Sequence, residues 1–596
     1  MPFSDDAFFS RRAFLQASAT AVLSAKAVMH PRVALAEPAG AAKGTASAAR
    51  YITARLAQHG ADILFGVPGA TCDPLFAAAA STSGVSVVVA SSDLEAGYAA
   101  DGFARMRGLG AVSVTYGVGT MSLIGVIAGA YAERSPIVVV NGGPTKLDLK
   151  LQREQQTLFS HSTGKEHSDL TMFREVTAYA ERAESKEDVA RVVDEAIATA
   201  LRERRPVYIE IPKDVWDAPV GAPGATLRAA PPSSGREAVL AARILERLGN
   251  AKRPLLLLGI ELQRYGLAEQ AAALVRKLGI PYATTMLAKA VIPETTTGFA
   301  GVYIGANSVP AVRELVDQSD TILALGCVFG RQYRELVTKS AKSLVSAGGG
   351  KVRSGSESTP AALGALVDAA LAQAYVARAE HATRNTLSGR DFAARRKSVP
   401  KRTESSGLSY DAVLGTISDY LDDAFAVLTD TSLSMYPAAD LNIAAKGAFV
   451  CNSVWQAIGF SVGAAVGVAL ASGKRPLVIC GDGGFQMTAQ ALSTMARAGL
   501  KSIVVVLDNG IYGIEQFLLE PRFFAGGPSH LPYVGLNRWS YPDLARALGF
   551  KQAETITSIA ELKRGLDNAR GASGPVLLSV AVPPRDLPAQ LVKEPA

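Results

Sequence analysis

A chain of 596 residues is too long for one hydrophobic core and points to about three domains of ordinary size. With 48% hydrophobic and 19% charged residues it has a globular composition, and its net charge of +7 carries no stripe of Lys/Arg alternating with aromatics, which argues against nucleic-acid binding. Four cysteines, Cys72, Cys327, Cys451 and Cys480, stand far apart without a CxxC pair, so neither a zinc site nor a disulfide framework is expected.

At the N-terminus, Ser10-Arg11-Arg12-Ala13-Phe14-Leu15 is a twin-arginine pattern, followed by a moderately apolar run and the small-residue cleavage site Ala34-Leu35-Ala36. Residues 1–36 therefore read as a twin-arginine signal peptide, and a periplasmic or otherwise exported protein is expected. That route suits a cofactor enzyme, because it carries proteins already folded.

Residues 44–223 alternate short apolar runs with stretches of helical period. VSVVVA (85–90), AVSVT (111–115), PIVVVN (136–141) and PVYIEI (206–211) read as central parallel strands, apolar on both faces, and predict a doubly wound α/β domain. Between the first two lies SDLEAGYAADGFARMRG (92–108), whose Glu95 opens a helix among alanines and glycines. Taken alone, a carboxylate in a first helical turn reads as a partner of the helix dipole. The Pro/Gly-rich VGAPGATLRAAPPSSG (220–235) ends the domain.

Residues 236–376 alternate again, with PLLLLGI (254–260), a helix near 268–278 and TILALGC (321–327), and predict a Rossmann-like central domain. No GxGxxG follows a strand there, and GGGKVRSGSES (348–358) is expected to be a loop, so a structural or regulatory role is expected rather than a second cofactor. A linker follows at 377–406, with the basic run ARRKSVPKR (394–402) read as solvated. The third domain spans 407–582. Its apolar run at 458–471 is shorter than the ~20 residues a membrane span needs and reads as a buried helix, so no span is expected in the mature chain.

The chemistry concentrates in GDGGFQMTAQALSTMARAGLKSIVVVLDNGIYGIE (481–515). An apolar run (477–480), a Gly-Asp-Gly turn, an amphipathic helical stretch (487–498) and a β-branched run (503–507) make a strand-helix-strand unit. Parallel strands joined this way end on one edge, which brings Asp482 and Asn509 together. A carboxylate, an amide and a backbone carbonyl are hard oxygen ligands, suited to a magnesium ion that also grips phosphate oxygens. Glycines let backbone N–H groups approach those phosphates at a helix N-terminus. A magnesium-diphosphate cradle is therefore expected.

The GDG turn, its spacing to an Asn-containing pair and the tail GIYGIE resemble the signature of thiamine diphosphate (ThDP)-dependent 2-keto acid decarboxylases, and the likeness extends over roughly residues 46–582. It implies three doubly wound parallel-sheet domains: pyrimidine-binding, central and diphosphate-binding. It implies Asp482, Asn509 and the carbonyl of Ile511 as Mg2+ ligands, with Asp508 standing where the family has the first Asn of a pair. Gly481, Gly483 and Gly484, with Thr431 and Ser432 from LTDTSLSM (428–435), are implied to line the diphosphate, and Ile458 to lie under the cofactor and force its V shape. TYGVGTMSLIGVIAGAYAERSPIVVVNGGP (115–144) is similar to the family's segment beside the aminopyrimidine, and Glu95 becomes the cofactor-activating glutamate. A carboxyl group hydrogen-bonded to N1′ drives that ring to its imino tautomer, which then removes the C2 proton of the thiazolium.

The same resemblance makes the proton donors decide the reaction, since protonation after loss of carbon dioxide gives an aldehyde and attack on a second carbonyl gives an acyloin. Glu515 matches the family's acid. The histidine pair is half present, as Ser160-His161, and Ala70 replaces an aspartate, with Asp73 three residues on. At ~10²–10⁴-fold per general acid, two missing donors would slow aldehyde release. Three functions follow: decarboxylation of a small 2-keto acid with some carboligation; a dedicated carboligase of acetolactate-synthase type, opposed by Glu515 and by the lack of a flavin fingerprint; and a non-catalytic ThDP-binding protein. The family's cofactor lies between the first domain of one subunit and the third of another, which implies a homodimer or homotetramer.

Overall fold

The computed structural model describes residues 45–227, 233–339, 342–376 and 408–592. The expected signal at 1–36 and the linker at 377–406 lie outside the described residues.

Val- and Ile-rich runs such as Ile137–Gly143 and Val207–Pro212 form strands buried on both faces, as expected of parallel sheets covered by helices. VSVVVA, expected to be central, is instead the edge strand Ser86–Val89, which has a neighbour on one side only and no fully buried residue. The N-terminal sheet stands in the order Ser86–Val89, Ile63–Gly66, Gly110–Ser113, Ile137–Gly143, Val207–Pro212, Tyr179–Arg182, all parallel. The C-terminal sheet runs Phe449–Cys451, Phe425–Thr429, Arg475–Gly481, Ile503–Asp508, Val576–Ala581, Gln552–Ile556, also all parallel. Counted along the chain, both sheets follow the same arrangement: second, first, third, fourth, sixth, fifth. The two outer domains thus repeat one topology.

The central sheet places Pro254–Leu258 in the middle, with Tyr282–Thr285 and Phe299–Tyr303 on one side and Thr321–Leu325 and Leu344–Gly348 on the other. Its far edge corrects the sequence reading of 348–358 as a loop. Those residues belong to antiparallel strands, Lys351–Ser354 paired with Leu344–Gly348 and with Glu357–Pro360. Gly349 (φ +59°), Gly350 (φ +77°) and Gly355 (φ +61°) supply the left-handed residues that tight hairpin turns require.

The expected single helical stretch at 487–498 is instead two helices, Asp482–Thr488 and Ala491–Arg497. Tertiary bonds on either side of the break pull the halves toward different partners. The Thr488 hydroxyl donates to the Gly459 carbonyl at 2.7 Å, and the Gln490 amide to the Ser92 hydroxyl at 3.1 Å.

The apolar run at 458–471 is a buried helix, Phe460–Ser472, and it explains how the outer domains join. It packs on Asp93–Arg107, the helix in the equivalent place of the N-terminal domain. Glycines allow backbone to touch backbone: a Cβ on Gly102 would collide with the Ala464 carbonyl, and one on Gly467 with that of Ala99. The Phe460 ring meets Tyr98 edge-on at 5.5 Å and the Arg105 guanidinium at 4.7 Å. Among the described residues no helix is long and apolar enough to cross a membrane.

Candidate active site

In a doubly wound sheet, ligands bind beyond the strand ends where the winding reverses. In the C-terminal sheet that point falls between Phe425–Thr429 and Arg475–Gly481, so their next residues, Asp430 to Ser432 and Asp482, face one crevice. A Cβ on Gly481 would meet only Ser432 Cβ, at the contact distance of 3.6 Å. In the N-terminal domain the chain is more closely packed near the corresponding strand ends: a Cβ on Gly66 would strike the Ser113 carbonyl and one on Gly69 the Thr115 hydroxyl. The central domain is as closely packed, with Gly259 against Gly326 and Cys327. There the buried Glu261 accepts from Gly349 N–H at 2.9 Å and pairs with Arg134 at 2.9 Å, which fits a structural use of that domain.

Asp482, 2% exposed, opens its helix at the end of its strand. Its carboxylate accepts from Gly483 N–H (2.9 Å) and from Gly510 N–H (2.6 Å). Gly510 adopts φ +73°, which turns the chain after Asn509 back toward Asp482. Asn509 donates to the Tyr410 hydroxyl at 3.1 Å, which leaves its carbonyl oxygen on the side of Ile511, whose N–H it accepts at 3.1 Å. Burial pushes the Asp482 carboxyl upward, and the neighbouring Asp508 carboxylate pushes it the same way. Asp508 itself holds a buried oxygen, Oδ1, with no hydrogen-bond partner among the described residues. Packed acids and an orphaned oxygen fit a divalent cation. Among the described residues no cluster of three or more His, Cys, Asp or Glu could hold a metal by itself, so an ion here would draw ligands from an amide, a carbonyl and phosphate oxygens.

The glycines that follow admit close neighbours. A Cβ on Gly483 would collide with the Tyr512 ring, and one on Gly484 would come 3.3 Å from the Asp430 carboxylate. Asp430, which sequence reasoning passed over in favour of its neighbours Thr431 and Ser432, organises this wall. Fully buried, it accepts from Thr431 N–H (2.7 Å), Gly459 N–H (3.0 Å) and the Ser461 hydroxyl (2.9 Å). Burial lifts its carboxyl to about 6 in spite of those bonds. The available signal was an aspartate at the end of an apolar strand. Tyr410, behind Asn509, left none. Thr431 donates to the Asn452 carbonyl at 3.3 Å, Ser432 shares a 2.7 Å hydrogen bond with Ser434, and Ile458 sits half-exposed just before Gly459 (φ +85°).

Glu95 lies in the first turn of the Asp93–Arg107 helix and is completely buried. One carboxyl oxygen accepts from Ser91 N–H at 2.9 Å, and the other, Oε1, has no hydrogen-bond partner among the described residues. Burial raises its pKa, while the Thr494 hydroxyl, the Ser91 N–H and Arg497 act in the opposite direction. Within one chain the neighbours that act on Glu95 and those that act on Asp482 are different residues. A buried carboxyl with a free oxygen fits a hydrogen bond to a ring nitrogen.

The remaining expected residues divide. His161 (φ +65°) packs against the glycine-rich turn beside the aminopyrimidine segment: a Cβ on Gly117 would lie 2.8 Å from His161 Cβ. Asp169 holds the same turn by accepting from Gly117 N–H at 2.8 Å and from the Thr120 hydroxyl. Glu515 is exposed in the first turn of Gly513–Leu519, the helix that follows Ile511. Ser160, Ala70 and Asp73 are all exposed.

Three family models match the chain: the N-terminal TPP binding domain of thiamine pyrophosphate (thiamine diphosphate) enzymes over 46–163, their central domain over 241–371 and their C-terminal TPP binding domain over 431–580. The chain is 30% identical to pyruvate decarboxylase 1 of Oryza sativa subsp. indica, across 94% of this chain and 91% of the relative. It is 31% identical to pyruvate decarboxylase 2 of Oryza sativa subsp. japonica (90% and 87% covered) and 31% identical to pyruvate decarboxylase 4 of Arabidopsis thaliana (84% and 82% covered). A topology used twice and these likenesses over nearly the whole length agree: the chain belongs to the ThDP-dependent 2-keto acid decarboxylase family of thiamine pyrophosphate enzymes.

Proposed function

We propose that the enzyme uses ThDP and Mg2+ to decarboxylate a small 2-keto acid to an aldehyde and diverts part of the flux to an acyloin. The observation that carries this reading is the pairing of a cradle at Asp482, Asn509 and Ile511 with a buried Glu95 that keeps one carboxyl oxygen free of protein partners among the described residues. Bound ThDP supplies a carbon nucleophile that takes up the electron pair released when carbon dioxide leaves. Asp482, Asn509 and the Ile511 carbonyl would hold the ion, Thr431, Ser432 and the glycines at 481, 483 and 484 would hold the diphosphate, and Glu95 would exchange a proton with the pyrimidine. His161 and Glu515 would deliver protons to the product carbon.

Carboligation is favoured by Ala70 and Ser160, which leave two fewer proton donors than the family pattern. The plant relatives are pyruvate decarboxylases, so pyruvate heads the panel to be tested, followed by phenylpyruvate, indolepyruvate and branched keto acids. Purified protein with ThDP and Mg2+ should form both aldehyde and acyloin; acetolactate or acetoin alone from pyruvate would favour a dedicated carboligase, and no turnover at all would favour a binding protein.

We infer a homodimer, or a dimer of dimers, with each site built by two chains. The Val118–Ala132 helix exposes Val118 (58%), Met121 (37%) and Gly125 on one face, an apolar stripe of the kind a subunit interface covers. We also propose export through the twin-arginine signal. Changing Arg11 and Arg12 to Lys should retain the protein in the cytoplasm, and unchanged export would refute the signal.

A further inference from the structure

The loop at 452–459 carries Ile458 to the cradle, and its shape is not imposed by its own domain alone. Gln456 adopts φ +63°, a conformation that persists for a residue with a Cβ only when surrounding contacts hold it, and Gly459 supplies φ +85° without strain. Asn452 accepts from Ala457 N–H at 2.9 Å and Asp430 from Gly459 N–H, which fixes the two ends. The middle is held from the N-terminal domain. Glu133, at the end of the Val118–Ala132 helix, accepts from Val454 N–H at 2.8 Å and Trp455 N–H at 3.0 Å with one carboxylate oxygen. Its other oxygen forms an ion pair with an Arg105 guanidinium nitrogen at 2.8 Å, and the same nitrogen donates to the Cys451 carbonyl, also at 2.8 Å. The rest of the Arg105 fork grips Asp101 with two bonds of 2.9 Å. Glu133, Arg105 and Asp101 are 0%, 3% and 1% exposed.

We propose that Glu133, backed by Arg105 and Asp101, is a positioning group that sets the place of Ile458, so that the N-terminal domain of each chain shapes the cofactor seat of its own C-terminal domain. The inference rests on ThDP being the cofactor. Its consequence is a division of labour along one helix: Asp93–Arg107 presents Glu95 from its first turn to a cofactor outside the chain, and from its last turns it fixes, through Asp101 and Arg105, the loop under the cofactor of its own chain. A buried carboxylate spanning a guanidinium and two main-chain N–H groups suits this task, since an amide in its place could accept from the main chain only by turning its NH2 toward Arg105.

The test compares wild type, Glu133→Gln, Arg105→Lys and, as a control, Arg134→Gln, which breaks a different interdomain ion pair, the one to Glu261. ThDP affinity with Mg2+ is read by tryptophan fluorescence, the bound pyrimidine by near-ultraviolet circular dichroism, and turnover by kcat and KM. Glu133→Gln should fold, bind ThDP about tenfold more weakly, alter the pyrimidine signal and lower kcat, with the keto acid KM changed by less than about threefold. Arg105→Lys should act in the same direction, and Arg134→Gln should leave ThDP affinity and the signal unchanged. The inference is overturned if Glu133→Gln binds ThDP as wild type does, if Arg134→Gln weakens binding equally, or if neither network variant folds, since the network would then serve the fold alone. A wild type that binds no ThDP would instead refute the cofactor reading itself.

Discussion

Replacing Glu95 with Gln keeps the side chain's volume and removes its exchangeable carboxyl proton, so the variant should bind ThDP yet lose at least ~10²-fold in kcat. Stopped-flow or steady-state assay beside a binding isotherm separates the two effects; retained turnover would remove Glu95 from the chemistry. The acid's pH dependence has a definite sign. Burial raises its pKa, so the neutral form, which donates to a ring nitrogen, survives to higher pH than in an ordinary carboxyl group, and activity should fall as pH rises through it. Thr494 supplies the largest opposing effect. Thr494→Val should therefore move the alkaline limb of the kcat/KM profile upward, and a limb that stays in place would assign it to another group. At this scale the sequence was most legible where residues are contiguous: Asp482, Asn509 and Ile511 come from one strand-helix-strand run, and the fold brings Asp482 against the Gly510 N–H between the other two. Asp430, Tyr410 and Glu133 act through folded distance, across tens to hundreds of residues, and only Asp430, at the end of an apolar strand, left a local mark.

Helices and strands tell a similar story. Most Val/Ile runs became central parallel strands because burial on both faces demands them, while Ser86–Val89 took the sheet edge, and Asp93–Arg107 became a helix where Ser92 caps Glu95 N–H at 3.2 Å. Two elements departed from their local pattern for tertiary or turn reasons. The helix expected at 487–498 breaks between two long-range hydrogen bonds, and the Gly-rich 348–358 stretch extends the central sheet because its glycines fit hairpin turns. The contact between the Asp93–Arg107 and Phe460–Ser472 helices leaves no room at Gly467. Gly467→Val should force the helices apart and cost about 1–3 kcal/mol or more, measured by denaturant unfolding, and it should weaken ThDP binding because both helices carry site residues. Unchanged stability would contradict the packing described.

At the scale of the whole molecule, the two outer domains share one topology, and the chain packs more closely around Gly66 and Gly69 of the N-terminal copy than around Gly481 of the C-terminal one. That difference was invisible in the sequence, since both copies are Gly-rich at their strand ends; it depends on how the facing segments pack. If two chains complete each site, an acidic residue in the exposed apolar stripe, Met121→Glu, should shift the protein toward monomer in sedimentation and abolish turnover together, whereas an active monomer would refute a shared site.

Subunit complementation tests that claim most directly. Glu95→Gln and Asp482→Asn chains should each be inactive alone, yet when co-expressed, mixed dimers join the intact Glu95 of one chain to the intact Asp482 of the other. With random pairing, about one quarter of wild-type activity should return. Mixed dimers that form but remain as inactive as their parents would contradict the account.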